Sequence, residues 1–199
     1  MISFSLLRTG DRGLAPSSKR EVALEHLAGA GLLPEAEPFR DQVVELVRAH
    51  PDVLLRTCMP GHLTGSAVVV DPARERTLLM LHRKLGRWFQ PGGHADGDAN
   101  LANVAFREAS EETGIEDLAV VVPAIDVDVH EVDLPDGIHL HLDVRYLVLA
   151  PPDAIAPGNH ESLRLAWVDR AGLEQLSPAI DPSTRRLVHR GLDLARSWV

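Results

Sequence analysis

Residues Arg107-Glu108-Ala109-Ser110-Glu111-Glu112-Thr113-Gly114-Ile115 crowd three carboxylates into little more than one helical turn, downstream of a Pro91-Gly92-Gly93 turn. Glu108, Glu111 and Glu112 stand at i, i+3 and i+4, positions that share one face of a helix. Like charges at that spacing repel, so helix stability does not ask for them. One reading is a solvated acidic face, the ordinary fate of clustered glutamates. The other is a site for a hard divalent cation such as Mg²⁺, which takes oxygen ligands and keeps positions for water and substrate phosphates. Under the second reading the helix must follow a glycine turn, and the turn must leave a strand.

The flanking residues supply both elements. Residues 66–71 read as a buried apolar strand, 72–75 as a turn and 77–82 as a second strand rich in Leu. Residues 99–113 read as a helix with Leu101, Val104 and Ala105 on its packing stripe, and Gly114 is placed to end it. Asp98 can cap that helix, with its charge at the favourable end of the dipole.

Counted from Gly93, this run resembles the Nudix hydrolase signature, Gly-x5-Glu-x7-Arg-Glu-U-x-Glu-Glu-x-Gly-U with U aliphatic. Arg107, Glu108, Glu111, Glu112 and Gly114 fall in register, while Ala99 stands where the family has its first Glu. The resemblance implies an α/β Nudix sandwich with a mixed sheet, the Glu helix on one side and a C-terminal helix on the other. It implies Mg²⁺, with Mn²⁺ as a substitute, held by Glu108, Glu111, Glu112 and the carbonyl of Gly92. The reaction expected is hydrolysis of a diphosphate bond in a nucleoside diphosphate linked to another group. Metal would neutralise the phosphate oxygens and lower the pKa of the attacking water.

Glu108 or Glu112 is a candidate to take the proton, and Arg107 is read as an organiser paired with Glu111 at i+4. Glu161 is the third candidate base. It stands six residues before Trp167 in a run that looks like the late Nudix strand preceded by a loop acid. A loop Glu in solvent is the alternative. Because the family's first Glu is peripheral to the metal, Ala99→Glu is expected to change activity by less than about tenfold. Two other functions stay open: a sensor that binds a nucleotide sugar without turnover, and isopentenyl diphosphate isomerase, in which the catalytic cysteine has a different setting from that of Cys58.

Further residues have both an active-site and an ordinary reading. Arg83, Lys84 and Arg87 lie just before the glycine turn and are candidates to bind substrate phosphates, or plain surface cations. Trp88 and Phe89 can stack a base or pack on the sheet. His94 follows the turn as a substrate contact, or as a helix-start histidine with local hydrogen bonds. An Asp136-Gly137 turn and a strand over residues 139–149 suggest a hairpin. Its alternation puts His139, His141, Asp143 and Arg145 on one face. That face touches substrate, with two His and an Asp able to hold a second metal, or it faces water.

At 199 residues with 45% hydrophobic content, one domain with an extension fits better than two equal domains, divided as residues 1–60 and 61–199. The extension reads as two helices. One is opened by a Ser18-Lys19-Arg20-Glu21 capping box, and the other starts at Pro38 with Phe39, Val43, Leu46 and Val47 as its stripe. Residues 182–198 read as the closing helix. A formal charge of −9 argues against a dedicated nucleic-acid surface, so a nucleotide-type small molecule is the expected partner. A homodimer stays open. One cysteine and the lack of a membrane-length apolar run suggest a reduced, cytoplasmic setting with no membrane contact.

Overall fold

The structure, a computed structural model, describes residues 3–134, 137–160 and 162–197, with the side chains of residues 133 and 134 left aside. Its elements run β1 (Ser5–Arg8), α1 (Arg20–Gly29), α2 (Glu37–Ala49), β2 (Gly61–Val70), β3 (Thr77–His82), β4 (Trp88–Phe89), β5 (Gly92–His94), α3 (Leu101–Thr113), β6 (Ala119–Leu134), β7 (Gly137–Leu149), β8 (Ser162–Val168), α4 (Arg170–Leu173) and α5 (Pro182–Ser197). The sheet is ordered β1-β6-β7-β2-β3-β4 and is mixed: β2 and β7 pair in parallel, while its other ladders are antiparallel. β5 adds to β2, and β8 adds to β3.

Alternating residues of β2 build two cores. Leu63, Ala67 and Val69 join Ala23, Leu27, Val43, Val47, Leu101, Val104 and Ala105, so α1, α2 and α3 share one face of the sheet. Val68 and Val70 join Leu187, Val188, Leu192 and Ala195 of α5 on the opposite face. The result is the α/β/α sandwich expected. Trp88 belongs to the second core, 3% exposed, with its indole N–H donating to the Ser177 carbonyl at 3.2 Å. It packs rather than stacking a base.

Several boundaries differ from the sequence reading for local physical reasons. β2 begins at Gly61 rather than 66, because ten residues pair in register with β7 although His62, Thr64 and Ser66 do not look like core. The glycine turn is itself a strand: Gly92, Gly93 and His94 pair with Ser66, Gly65 and Thr64. β6 runs as one strand through a register irregularity between Val121 and Asp126. Ser18 does not cap α1. The N-cap is Lys19, without a side-chain bond, and the Ser17 hydroxyl accepts from the Lys19 N–H. The turn residue Asp136 and Trp198 of the closing helix lie outside the described residues.

The start of α3 shows what the N-terminal residues do. Asn100, not Asp98, is the N-cap, accepting from the Asn103 N–H at 3.2 Å. Its amide also donates to the carbonyls of Gly13 (2.9 Å) and Ala15 (3.0 Å). Asp98 accepts from the N–H groups of Ser17 and Asn100, each at 2.9 Å. The Ala99 N–H donates to the Ser17 carbonyl at 2.5 Å, and Ala99 is fully buried.

Residues 13–17 are therefore stitched over the place where the signature has its first Glu. A glutamate at this fully buried position loses its water on folding, an effect on stability separate from the one expected on activity. Ala99→Glu is expected to cost about 3 kcal/mol of stability, the scale of an uncompensated buried polar or charged group. Urea unfolding measures it, and an unchanged midpoint would mean that residues 13–17 are not held on α3 in solution.

Candidate active site

The helix α3 turns Glu108 and Glu112 toward β5 and leaves Glu111 at the rim. Glu112 is 6% exposed and accepts the Gly92 N–H at 3.0 Å. The Glu108 carboxylate lies against Gly93 so closely that a Cβ there would sit 2.5 Å from Oε2. Arg107 donates to Glu108 at 2.6 Å, stands 3.6 Å from Glu111, and donates to the His94 carbonyl at 3.3 Å. The organiser role read from the sequence therefore has a geometry, although the shorter pairing is with Glu108. Glu111 keeps 59% of its side chain exposed. Gly114, at φ +67°, takes the left-handed conformation that ends the helix, and its N–H donates to the Ser110 carbonyl.

Gly93 must stay a glycine because the acid fills the space of its missing side chain. Gly93→Ala is expected to push aside the flexible Glu108 side chain, lowering turnover by at least about tenfold while the unfolding midpoint moves little. Normal turnover in this variant would show that the position of Glu108 is unimportant.

The remaining candidates divide. His94 lies on β5 rather than at a helix start. Its half-buried ring lies 5.0 Å from His62 and 5.1 Å from His141 between centroids. Burial, and then the nearby Arg56 charge, lower its pKa. His139 and His141 lie on the same side of the sheet beside His62. Arg83, Lys84 and Arg87 occupy the exposed turn between β3 and β4. Arg83 clips this turn to the stretch before β8, donating to the carbonyls of His160 (2.9 Å) and Ser162 (3.3 Å). Among the described residues, no hydrogen bond or ion pair links the side chains of Lys84 or Arg87 to the acidic face. Glu161 lies outside the described residues.

The strand face bearing Asp143 and Arg145 neither meets water nor lines an open site. Arg145, with 2% of its side chain exposed, donates to Asp143 (2.7 Å), Asp128 (3.2 Å), Asp126 (3.3 Å) and the Ser183 hydroxyl (2.6 Å). Arg186 of α5 bridges Asp126 and Asp128, both at 3.0 Å. Thr64 and Ser66 donate their hydroxyls to Asp143. Burial raises the Asp143 and Asp128 carboxyls, but the charge of Arg145 and the hydrogen bonds around them outweigh it, and both end below the ordinary range. The network anchors α5 to the sheet. It also removes Asp143 from the two-His-and-Asp metal set suggested by the alternation.

One cation near the acids had no signal in the sequence. Arg56, in the loop before β2, is gripped by Asp96 at 2.9 and 2.5 Å and is close enough to Glu108 to feel its charge. Cys58, by contrast, is buried. Burial, and then its bond to Asp52, push its thiol up to about 11, so it is no nucleophile at neutral pH.

Two acids on one helical face, laid against the glycine strand of a mixed sheet, define a class. Residues 61–190 match the NUDIX domain family model, and the chain belongs to the Nudix family. Solved structures with a similar fold include a Nudix-family hydrolase from Clostridium perfringens, 23% identical with a TM-score of 0.53, the match covering 67% of this chain and 97% of that one. A C. elegans Ap4A hydrolase, determined as a binary complex, is 17% identical with a TM-score of 0.54, over 68% and 98% of the two chains. Among the described residues no helix is long and apolar enough to cross a membrane.

Proposed function

We propose that the chain is a Mg²⁺-dependent hydrolase of nucleoside diphosphates linked to a second group, with residues 61–199 as the catalytic unit and 1–60 as its extension. The observation that carries this reading is the convergence of Glu108 and Glu112 on the backbone of Gly92 and Gly93. These carboxylates, with Glu111 and the Gly92 carbonyl, form a set of hard oxygen donors that suits Mg²⁺ or Mn²⁺. When bound, the ion supplies charge neutralisation at the phosphates and a more acidic water.

The chain's own residues do the rest. Arg107 holds Glu108 in place through its 2.6 Å contact, so the carboxylate meets substrate without reorganising. Glu108 or Glu112 accepts the proton of the attacking water, with Glu161 as the candidate from the loop. Arg56 offsets the acids and the incoming phosphates. His94, His139 and His141 contact the substrate from the sheet, and Arg83, Lys84 and Arg87 attract its charge from the neighbouring turn.

The buried Ala99 supports turnover rather than a sensor. The departure from the signature is absorbed by packing against residues 13–17, outside the set of acids on β5. The high pKa of the Cys58 thiol speaks against isomerase chemistry. The test is incubation of the chain with a panel of nucleoside diphosphate conjugates, with and without Mg²⁺, followed by phosphate-product analysis. Metal-dependent release of two phosphorylated products from at least one conjugate is the expected result, and binding without product would overturn the enzymatic reading.

A further inference from the structure

Beside the glycine strand, on the α5 face of the sheet, five histidines meet edge to edge: His62, His94, His130, His139 and His141. Their ring centroids lie 4.9 to 5.6 Å apart in successive pairs. Imidazoles rarely cluster for packing alone, since each carries a donor and an acceptor that need partners once buried.

Among the described residues, four of the buried ring nitrogens of His62, His139 and His141 have no such partner. His62 is 1% exposed, and among the described residues neither of its ring nitrogens makes a hydrogen bond of good geometry, although the Cys58 backbone is near enough to favour the protonated ring. His139 is 6% exposed and has a bare, buried Nε2, as does His141. One nitrogen from each of His62, His139 and His141 lies within 4.8 Å of the other two.

We propose that His62, His139 and His141 form a binding site for a zinc-class divalent cation, separate from the acidic face of α3. The backbone predisposes them to it. His62 and His141 are direct partners across the parallel β2–β7 ladder, and His139 lies two residues along the same strand on the same face. His139 Nδ1 lies 3.3 Å from the Gly137 carbonyl, so its N–H points there and leaves Nε2 as a lone pair aimed into the cluster. This arrangement of a ligating histidine held by a carbonyl behind it is the usual support of such sites.

The charge state fits as well. Burial, and then His94 and His139, lower His62 to about 4, and burial, and then His130, His94 and His62, lower His141 to about 3. Neutral imidazoles are the form that binds metal. Nitrogen donors select zinc, cobalt, nickel or copper over Mg²⁺. Three protein ligands with a fourth position open is the arrangement that leaves room for water or a substrate atom. The three nitrogens already lie within 4.8 Å of one another, so small side-chain rotations bring them onto one ion.

The test uses the full chain stripped with a chelator, then titrated with Co²⁺ in excess Mg²⁺, so that oxygen sites are occupied. The visible absorption reports coordination, and Zn²⁺ competes. Intense four-coordinate absorption at one equivalent is expected, with binding weakened by at least about 100-fold in His62→Ala or His139→Ala and unchanged in Glu108→Gln/Glu112→Gln. Absence of stoichiometric binding overturns the site. So does binding that survives the histidine variants but is lost in the double glutamate variant, which would put the metal on α3. Should a histidine variant fail to fold, as judged by circular dichroism, the wild-type spectrum decides, and weak six-coordinate absorption overturns the proposal. The site stands apart from the hydrolase reading, because none of these readouts depends on turnover.

Discussion

Glu112→Gln is expected to lower turnover by at least about two orders of magnitude at saturating Mg²⁺, roughly 2.7 kcal/mol in the barrier, while the fold stays intact. Glu112 is 6% exposed and bound through Oε2 to the Gly92 N–H. Glutamine keeps an oxygen for that bond and nearly the same volume, but it removes the charge. Because a carboxylate buried beside Glu108 is itself costly, the unfolding midpoint should hold or rise. Loss of activity with a steady or higher midpoint is the signature of a residue kept for chemistry. Near-normal turnover would remove Glu112 from the catalytic set. Glu111→Gln makes the informative comparison: its acid is mostly exposed and pairs only loosely with Arg107, so its effect reports whether a third carboxylate is drawn in when metal and substrate are bound.

Arg145→Met is expected to destabilise the fold by about 3 to 5 kcal/mol, the cost of stripping one partner from a buried ion network. Arg145 contacts all three of Asp126, Asp128 and Asp143. Arg186 can hold the first two, but Asp143 then keeps only the hydroxyls of Thr64 and Ser66 as hydrogen-bond donors among the described side chains. Methionine fills much of the volume, so the loss measures charge rather than a cavity. Urea unfolding reads it. The companion variant Asp143→Asn/Arg145→Met should recover part of the loss, since removing both members of a pair leaves no charge stranded. A loss under about 1 kcal/mol in the single variant would mean that water reaches the network.

Much of the architecture was legible in the sequence because it rests on local patterns. The leucine-rich β3 needs only alternation and length to declare itself, and α3 needs only its apolar stripe and Gly114. The acidic face was legible for a different reason. Three glutamates on one turn oppose helix stability, so the spacing leaves two readings, a solvated acidic face or a cation site. The register from Gly93 to Gly114 then carries the resemblance to the Nudix signature, and the family match over residues 61–190 bears it out.

What the sequence could not determine was which polar residues leave water, because that depends on strands far apart along the chain. The apolar run suggests a strand only from residue 66, yet β2 extends back through His62 and Thr64 because β7 supplies a ten-residue parallel ladder. The alternation of β7 placed His139, His141, Asp143 and Arg145 on one face, but only α5, far along the chain, decides that Asp143 and Arg145 are buried in a salt-bridge network while the histidines gather beside β5. The meaning of Ala99 was settled in the same way. Its own neighbours in sequence suggest a lost acid at a helix start, whereas residues 13–17, folded across that start, make it a buried alanine. Periodicity fixes which residues share a face; which face is covered, and by what, is set by contacts between segments whose pairing no local pattern encodes.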